Sequence, residues 1–237
     1  MADVFCMEID AQQISRYVKP GQFVTVSCGE KALLRRPFSV YRAVNGRIEI
    51  LFQVIGSGTH WLATRRAGES IDILGPLGNG FEVAEGLHKL LLISGGIGVA
   101  PMIYLAQEAV ANGYEVKMIM GAASASRLYP DSVEGVDLAK TTEDGSEGQK
   151  GCATDLLPQM VDWADQVFAC GPTEMYRTMA EMVEIFEGKS VQILLERVMA
   201  CGVGACRGCA VPTEAGIKMV CQDGPAFDLR EIKWGDR

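Results

Sequence analysis

Alternating apolar and polar residues mark the first third of the chain. Ile48, Ile50 and Phe52 alternate with charged or polar neighbours, the period-two pattern of a half-buried strand. Asn45-Gly46 separates this run from Phe38–Val44, and Asn-Gly is the strongest short signal for a β-hairpin. Two further strands are expected at Gln22–Cys28 and Ser70–Leu74. Short strands at this spacing predict a small antiparallel barrel of Greek-key type.

The pattern changes after residue 86. Lys89–Ser94 is dominated by a continuous apolar run, typical of a parallel strand covered on both faces. A helical stretch over Val99–Asn112 then ends at Gly113, where a C′ glycine belongs. The same unit recurs, with strands at Glu115–Met120, Gln166–Ala169 and Val191–Leu195 and a helix over Glu174–Glu187. Alternating strands and helices predict a parallel sheet with right-handed crossovers.

Composition narrows the class of partner. The chain has 237 residues, enough for two compact domains and a small appendage, and its net charge of −8 argues against nucleic acid or an anionic membrane surface. We find no apolar run of membrane-spanning length and no basic-then-apolar start typical of a secretion signal. We therefore expect a cytoplasmic protein whose eight cysteines stay reduced.

Four cysteines near the C-terminus carry the most specific chemistry. Cys201, Cys206, Cys209 and Cys221 read Cys-x4-Cys-x2-Cys-x11-Cys, and the first three match the spacing by which plant-type ferredoxins hold a [2Fe–2S] cluster. The small residues between them suit a loop whose backbone N–H groups approach sulfur and in which some residues adopt positive φ. This spacing favours a cluster, and therefore one-electron transfer.

Two other interpretations of these cysteines stay open. A structural zinc site usually has two Cys-x2-Cys pairs, and only Cys206–Cys209 forms one here. A disulfide framework belongs to small secreted chains. The remaining cysteines, Cys6, Cys28, Cys152 and Cys170, are scattered and are expected to be buried free thiols.

A first candidate nucleotide site lies in the barrel segment. It comprises Arg35-Arg36-Pro37-Phe38-Ser39 with Phe52-Gln53-Val54 and Gly56–Thr59 downstream. Arginine can pair bidentately with a pyrophosphate, and Ser39 offers a hydroxyl to the edge of a flavin ring. Thr59 is expected to cap a short helix over Thr59–Arg66 and so present amides to an anion. Alternatively, the arginines merely start a strand and the glycines form an ordinary turn.

A second candidate nucleotide site follows the first predicted parallel strand. Ser94–Pro101 contains Gly-Gly-Ile-Gly between a strand and a helix, a context that favours a dinucleotide phosphate at the helix N-terminus. The glycine spacing is not the full Rossmann fingerprint, so a tight turn without ligand remains the alternative. Cys170-Gly171-Pro172 follows another strand, at the sheet edge where ligands bind in open α/β sheets.

Together these features resemble the ferredoxin–NADP reductase superfamily. A barrel with Arg-x-x-Ser precedes Gly-Gly-Ile-Gly-x-Ala-Pro and a later Cys-Gly-Pro. With its C-terminal cysteines, the chain is similar to the electron-transfer subunits of class 1B, NAD-dependent dihydroorotate dehydrogenases. The resemblance covers nearly the whole chain and is most specific at Leu34–Ser39, Leu74–Phe81, Thr142–Ser146 and Val220–Pro225.

This resemblance implies three cofactors and their residues. FAD is expected at Arg36, Pro37, Phe38, Ser39, Phe52, Gln53, Val54, Gly58 and Thr59. NAD(H) is expected at Gly95, Gly96, Gly98, Pro101, Gly171 and Pro172, and the [2Fe–2S] cluster on the four C-terminal cysteines. The chain then divides into an FAD-binding barrel (1–86), an NAD-binding α/β domain (87–196) and a cluster-binding segment (197–237).

The resemblance also implies a partner and a reaction. The family's partner subunit carries FMN and oxidises dihydroorotate to orotate in pyrimidine biosynthesis. Electrons pass through the cluster to FAD and leave as hydride to NAD⁺. Ser39 is expected to hydrogen-bond flavin N5, and Cys170 to lie near the nicotinamide, as catalytic residues. A heterotetramer with two copies of each subunit is expected.

Other functions remain open. A close alternative keeps the chemistry but serves an NAD(P)H–ferredoxin, sulfur-reducing or hydrogenase complex. A non-catalytic redox sensor and a zinc-bearing structural subunit belong to different classes. NAD is favoured over NADP because Glu143 and Asp144 would repel a 2′-phosphate if they lie nearby, although Ser124–Arg127 supplies one arginine.

Departures from the family concern three places. The N-terminus is short, so the first barrel strand is expected to be truncated or irregular. Phe38 stands where relatives carry a smaller aliphatic residue, which could alter flavin stacking. Arg207 adds a charge near the predicted docking edge.

Overall fold

A computed structural model describes residues 1, 3–29, 32–130 and 132–235. Its helices are α1 (Gln12–Ser15), α2 (Ser57–Ala63), α3 (Val99–Ala111), α4 (Leu157–Met160), α5 (Thr173–Glu181) and α6 (Val220–Asp223). Its strands are β1 (Val4–Asp10), β2 (Phe23–Val26), β3 (Arg36–Val44), β4 (Arg47–Gln53), β5 (Ile73–Leu77), β6 (Lys89–Gly95), β7 (Glu115–Ala122), β8 (Val136–Thr142), β9 (Gln149–Lys150), β10 (Gln166–Cys170), β11 (Ser190–Leu194), β12 (Ala210–Thr213), β13 (Gly216–Met219) and β14 (Ala226–Asp228).

The first five strands form an antiparallel sheet in the order β1-β4-β3-β2-β5. Strands β2, β3 and β4 follow one another, and β5 returns beside β2, which is the Greek-key arrangement. Asn45 and Gly46 both have positive φ, 51° and 81°, as a two-residue hairpin turn requires. The alternating residues Ile48 and Ile50 are fully buried in the interior of this sheet. The predicted barrel is confirmed.

Three local predictions in the barrel are wrong. Strand β5 begins at Ile73 rather than Ser70 and runs through Gly75-Pro76, because it is an edge strand hydrogen-bonded only to β2, where a proline is tolerated. Strand β1 is neither truncated nor irregular, since all seven of its residues pair with β4. Helix α2 begins at Ser57 and ends at Ala63, so it is displaced from Thr59–Arg66.

The second sheet has the order β14-β11-β10-β6-β7-β8-β9 and is parallel except for β14. Leu90–Ile93 of β6 is completely buried at its centre, as its continuous apolar run predicts. Strand β8 is unpredicted, because polar residues interrupt its sequence and it lies near the sheet edge. No helix in the described part of the chain is long and apolar enough to cross a bilayer.

Side chains of α3 and β10 contact the segments that flank the barrel strands. The Tyr104 hydroxyl of α3 donates to the Val18 carbonyl at 3.1 Å, and the rings of Phe81 and Phe168 meet edge to face. Gln166, buried on β10, accepts from Ala84 N–H at 3.0 Å and donates to the Glu82 carbonyl at 2.9 Å. These contacts hold the barrel segment against the α/β part.

Tyr176 gives a test of how the second sheet is held together. Its buried hydroxyl accepts from Gly171 N–H at 2.9 Å and donates to the Leu194 carbonyl at 2.6 Å. Tyr176→Phe leaves a buried donor and a buried acceptor without partners, so we expect the free energy of unfolding to fall by about 2 kcal/mol. Denaturant unfolding of the purified protein measures this loss.

The matched control is Tyr17→Phe, because the Tyr17 side chain is 63% exposed. We expect that variant to unfold within about 0.5 kcal/mol of the parent. Equal stability of the two variants would contradict the structural role of the Tyr176 hydroxyl.

Candidate functional site

The C-terminal cysteines lie in a tight loop that follows Met199 and is closed by α6. Gly202 and Gly204 have positive φ, 74° and 80°, as predicted for a loop that wraps sulfur. Gly204 also faces the side-chain amide of Gln222, so an added Cβ there would collide with it. Arg207 is the unexpected member, since it holds a φ of 58° without being glycine.

The four thiols approach one another in two pairs. Cys209 Sγ lies 3.2 Å from Cys221 Sγ, and the Cys206 side chain hydrogen-bonds with the Cys201 thiol, whose sulfur also accepts from Cys206 N–H at 3.4 Å. Gly204 N–H donates to Cys221 Sγ at 3.1 Å. No three His, Cys, Asp or Glu side chains of the described residues converge on a single ion position. Two pairs of thiols, each met by backbone donors, fit the four-cysteine ligand set of a two-iron cluster.

The loop shifts the pKa values of its thiols in opposite directions. The N–H groups of Val203 and Cys206 lower the pKa of the Cys201 thiol to about 6, because they stabilise its thiolate. Burial raises the pKa of the Cys221 thiol to about 11, and the Cys209 thiol beside it adds to the shift. Since iron binds the thiolate, Cys201 is ready at neutral pH, whereas Cys221 must exchange its proton for the metal.

A cavity of about 430 Å³, called here the Ser39 cavity, separates the barrel from the parallel sheet. Pro37, Phe38 and Ser39 of β3 form its barrel side, and Cys170 lies on the opposite side. Its remaining lining residues are Phe23, Leu194, Leu195, Glu196, Arg197, Val198, Met199 and Pro225. The structure therefore brings together the two residues predicted to be catalytic, and it places them beside the cysteine-bearing segment.

Arg36 lies next to Gly58 at the start of α2. A Cβ added at Gly58 would lie 3.3 Å from Arg36 Nε, so the absence of a side chain there makes room for the arginine. The first and third predicted FAD segments thus meet in space. A half-buried arginine beside a buried glycine, next to a cavity with an aromatic wall, fits a flavin nucleotide.

Four predicted FAD residues have other surroundings. Phe52 is 2% exposed in the barrel core, where its ring packs on Phe38 and Phe5. Gln53 lines a different cavity, and Val54 packs against the barrel core. Thr59 does not cap α2: the N-cap is Gly56, and the Thr59 hydroxyl accepts from the N–H groups of Ile55 and Gly56 at 3.0 and 3.2 Å.

A second cavity, of about 510 Å³ and called here the Gly95 cavity, opens at the carboxyl edge of the parallel sheet. The predicted residues Gly95, Gly96, Gly98, Gly171 and Pro172 all line it. Their two turns pack tightly, since a Cβ added at Gly95 would lie 2.7 Å from Pro172 Cδ. An elongated crevice at this edge, walled by glycine turns, fits a dinucleotide.

Pro101 does not reach this cavity. It is buried within the first turn of α3 and is absent from the cavity wall. Proline is tolerated there because the first N–H groups of a helix have no partner within it. Pro101 therefore shapes the start of α3.

Glu196 is the main residue that sequence reasoning missed. It lines both the Ser39 cavity and the Gly95 cavity, and burial raises the pKa of its carboxyl group. An acidic residue directly after the apolar run Val191–Leu195 is a usable signal, because strand ends at this edge face ligands. A carboxyl group at the junction of two cavities can hold or release a proton there.

Cys170 is a thiol rather than a thiolate. It is 2% exposed, and burial raises its pKa well above the ordinary value, with the Glu196 charge adding to the shift. Its chemistry is therefore that of a small neutral group in a cavity wall, and not that of a nucleophile. Of the other scattered cysteines Cys28 is also buried, whereas Cys6 and Cys152 are exposed, so the prediction of buried thiols is wrong for these two.

Charged residues of opposite sign stand in the Gly95 cavity. Arg127 and Glu143 both line it, whereas Asp144 does not. The loop that carries Glu143 is anchored, because Glu143 N–H donates to the Ala122 carbonyl at 3.1 Å and Ser146 Oγ accepts from Ala125 N–H at 2.7 Å. This unpredicted anchoring brings Glu143 beside the end of β7.

Comparison with known proteins agrees with this geometry. Residues 196–233 match the model of the iron–sulfur cluster binding domain of dihydroorotate dehydrogenase B. The chain is 39% identical over 218 residues to a dihydroorotate dehydrogenase B (NAD(+)) electron transfer subunit of Caldanaerobacter subterraneus subsp. tengcongensis, covering 90% of this chain and 86% of the relative. It is 34% identical to the subunit of the same name from Desulforamulus reducens, covering 98% and 93%.

A solved structure shares the whole architecture. The NADH-dependent reduced ferredoxin-NADP oxidoreductase contains a chain that superposes with a TM-score of 0.88 at 31% identity, over 98% of this chain and 86% of that one. Identity above 30% over most of the length of these relatives shows that they and this chain are homologous. The chain belongs to the family of electron transfer subunits of dihydroorotate dehydrogenase B.

Proposed function

We propose that this chain carries electrons from the FMN of a dihydroorotate-oxidising subunit to NAD⁺, within pyrimidine biosynthesis. Residues 1–86 would hold FAD, residues 87–196 NAD(H), and residues 197–237 a [2Fe–2S] cluster. Flavin, when bound, supplies the exchange between single electrons and hydride that neither the cluster nor nicotinamide provides alone. The protein's task is to position these groups and to exclude water.

The observation that carries this proposal is that the Ser39 cavity shares wall residues with the Gly95 cavity and with the segments that flank the cysteine loop. Glu196 belongs to the walls of both the Gly95 cavity and the Ser39 cavity. Met199 and Pro225, which flank the cysteine loop in the chain, belong to the wall of the Ser39 cavity. Nicotinamide, flavin and cluster in these three places follow the order in which electrons must move.

Each of these residues has a defined task in the proposal. Arg36 pairs with the pyrophosphate, and Phe38 packs on the flavin ring. Ser39 donates a hydrogen bond at flavin N5, while Cys170 fills the space beside the nicotinamide as a neutral thiol. Glu196, whose pKa is raised by desolvation, lines the walls of both sites and so lies near both rings. Backbone N–H groups in the cysteine loop stabilise the negative charge on sulfur.

The partner would dock on the exposed side of the cysteine loop. Cys206 and Arg207 are both exposed, as is 52% of Val203. We propose a heterotetramer with two copies of each subunit, with neither nucleic acid nor membrane as partner. A cytoplasmic location fits the eight free thiols, since ligand cysteines must stay reduced to bind iron.

A second candidate function keeps every cofactor and changes the partner. The similarity to a chain of the NADH-dependent reduced ferredoxin-NADP oxidoreductase, with a TM-score of 0.88, favours it. Anaerobic isolation of the native complex, followed by mass spectrometry, separates the two. A dihydroorotate-oxidising flavoprotein supports our proposal, and a ferredoxin-linked subunit overturns its substrate but not its electron transfer.

Removal of one cluster ligand tests the electron path. In the reconstituted complex, Cys206→Ser should abolish the visible absorption and EPR signal of the cluster and reduce dihydroorotate-driven NAD⁺ reduction to background. Bleaching of the flavin by NADH should persist, because hydride transfer between the Gly95 cavity and the Ser39 cavity does not pass through the cluster. Cys6→Ser, at an exposed thiol on β1, is the control and should change neither. An intact cluster signal in Cys206→Ser would refute the ligand assignment.

Loss of the Ser39 hydroxyl tests its place at the flavin. Ser39→Ala should slow flavin reduction by NADH about tenfold, because one hydrogen bond at the reacting edge is removed. Stopped-flow absorbance under anaerobic conditions measures the rate. The exposed Ser70 provides the control variant Ser70→Ala, and an unchanged rate in Ser39→Ala rules out the N5 contact.

Glu143 is proposed to discriminate between the two nicotinamide cofactors. Its carboxylate would accept from the ribose 2′-hydroxyl of NADH and repel the 2′-phosphate of NADPH. Glu143→Gln should raise kcat/KM for NADPH about tenfold while weakening NADH binding, since the loss of one carboxylate leaves Arg127 less opposed, with only Glu174 and Glu196 as acidic residues in the same cavity wall. Glu187→Gln, at an exposed carboxylate outside the cavity, should leave the ratio unchanged. An unaltered ratio in Glu143→Gln assigns discrimination elsewhere.

A further inference from the structure

The hydroxyl of Thr25 is buried and lacks a hydrogen-bond partner. Thr25 is 2% exposed on β2, and its Oγ1 is one of three buried side-chain nitrogen or oxygen atoms without a partner among the described residues. A buried hydroxyl is normally paired, because desolvation without a hydrogen bond is destabilising. Such an atom calls for an explanation beyond the packing of the barrel.

Thr25 stands between the Ser39 cavity and the cysteine loop. In the β2–β3 register, Phe23 pairs with Ser39 and Thr25 pairs with Pro37. Phe23, Pro37 and Ser39 all line the Ser39 cavity. Since residues two apart on a strand share a face, Thr25 faces the same way as Phe23.

The next neighbour on this face is the cysteine loop itself. A Cβ added at Gly202 would lie 3.1 Å from Thr25 Cγ2, 3.4 Å from Leu77 Cδ1 and 4.0 Å from Phe23 Cε2. Gly202 directly follows Cys201, so a cluster ligand is adjacent in the chain to the residue that faces the Thr25 methyl group. The hydroxyl stands on the same Cβ as this methyl group, so a rotation about the Cα–Cβ bond turns it toward the cysteine loop.

Local backbone groups do not use the hydroxyl either. The Thr25 carbonyl accepts from Arg35 Nη1 at 3.4 Å, but this leaves the side chain unengaged. Cys201 Sγ accepts from the N–H groups of Val203 and Cys206 at 3.5 and 3.4 Å, and sulfur can accept further hydrogen bonds when it binds iron.

We propose that the Thr25 hydroxyl donates a hydrogen bond to the Cys201 sulfur of the assembled cluster and thereby raises the cluster's reduction potential. This inference rests on the cluster assignment in the proposed function. A donor at a ligand sulfur stabilises the extra negative charge of the reduced state more than it stabilises the oxidised state. Thr25 is thus a positioning residue supplied by the barrel, and it couples the flavin-binding sheet to the cluster's electronic properties.

The test is Thr25→Val, which keeps the shape of the side chain and removes its hydroxyl. EPR-monitored redox titration of the complete complex should show the cluster's reduction equilibrium shifted about tenfold toward the oxidised form, about 59 mV for a one-electron couple. The flavin potential should stay constant. Thr25→Ser, which keeps a hydroxyl, should retain most of the parent's cluster potential.

Thr141→Val is the matched control. Thr141 is also completely buried with an unpartnered hydroxyl, but it lies on β8 of the other sheet, against Gly121. This variant should leave the cluster potential unchanged. It therefore distinguishes the effect of removing a buried hydroxyl next to the cluster from the effect of removing one elsewhere.

Two results would overturn the inference. An unmoved cluster potential in Thr25→Val, together with a higher melting temperature, would mean that the hydroxyl stays unpaired when the cluster is present. A shift confined to the flavin potential would mean that the hydroxyl serves the Ser39 cavity instead. Absence of any cluster signal in the parent complex is a different failure, because it would remove the cluster assignment itself.

Discussion

The packing of the cysteine loop against the barrel is the contact on which the rest of the structure depends. Asn79, just after β5, donates its backbone N–H to the Gly224 carbonyl at 2.6 Å and its side-chain amide to the carbonyls of Gln222 and Asp223 at 3.2 Å. Gly202 lies against β2 and β5 from the other side of the loop. The rate of electron transfer falls steeply with the distance between two redox centres. The loop that carries the cluster must therefore stay at a fixed distance from the flavin.

The same segment is also tied to the parallel sheet. Strand β14 adds to the sheet edge beside β11, and Leu195 N–H donates to the Pro225 carbonyl at 2.9 Å. The cluster-bearing residues therefore belong structurally to both sheets, although they follow both in the chain. A relative movement of the sheets would alter the Ser39 cavity and the cysteine loop together.

Burial then sets the chemistry inside the cavities. Cys170 is buried, and this burial raises the pKa of its thiol. Glu196 is more exposed, although desolvation where the two cavities meet still raises the pKa of its carboxyl group. A neutral thiol adds no negative charge beside an electron-rich flavin. The exposed loop around Cys201 has the opposite character, since backbone N–H groups there favour the thiolate. Regions suited to hydride transfer and to metal binding thus differ in water access.

Some elements and sites could be predicted from the sequence alone because their signals are local. The Asn45-Gly46 hairpin, the buried run of β6, the C′ glycine after α3 and the spacing of four cysteines each depend on near neighbours in the chain. The strand–turn–helix pattern predicted that the glycines at 95, 96, 98 and 171 lie in turns at the sheet edge. In the structure all four line one cavity.

Only the tertiary structure decided the relations between distant segments. Gly58 and Arg36 are adjacent because α2 packs against β3, and Glu196 reaches two cavities because β11 ends between them. Phe52 and Pro101 match motif positions but are buried in cores, since a motif gives a residue's place in the chain and not the direction of its side chain. Pairing, burial and hydrogen bonding of a residue depend on partners far along the chain, and no local pattern contains them.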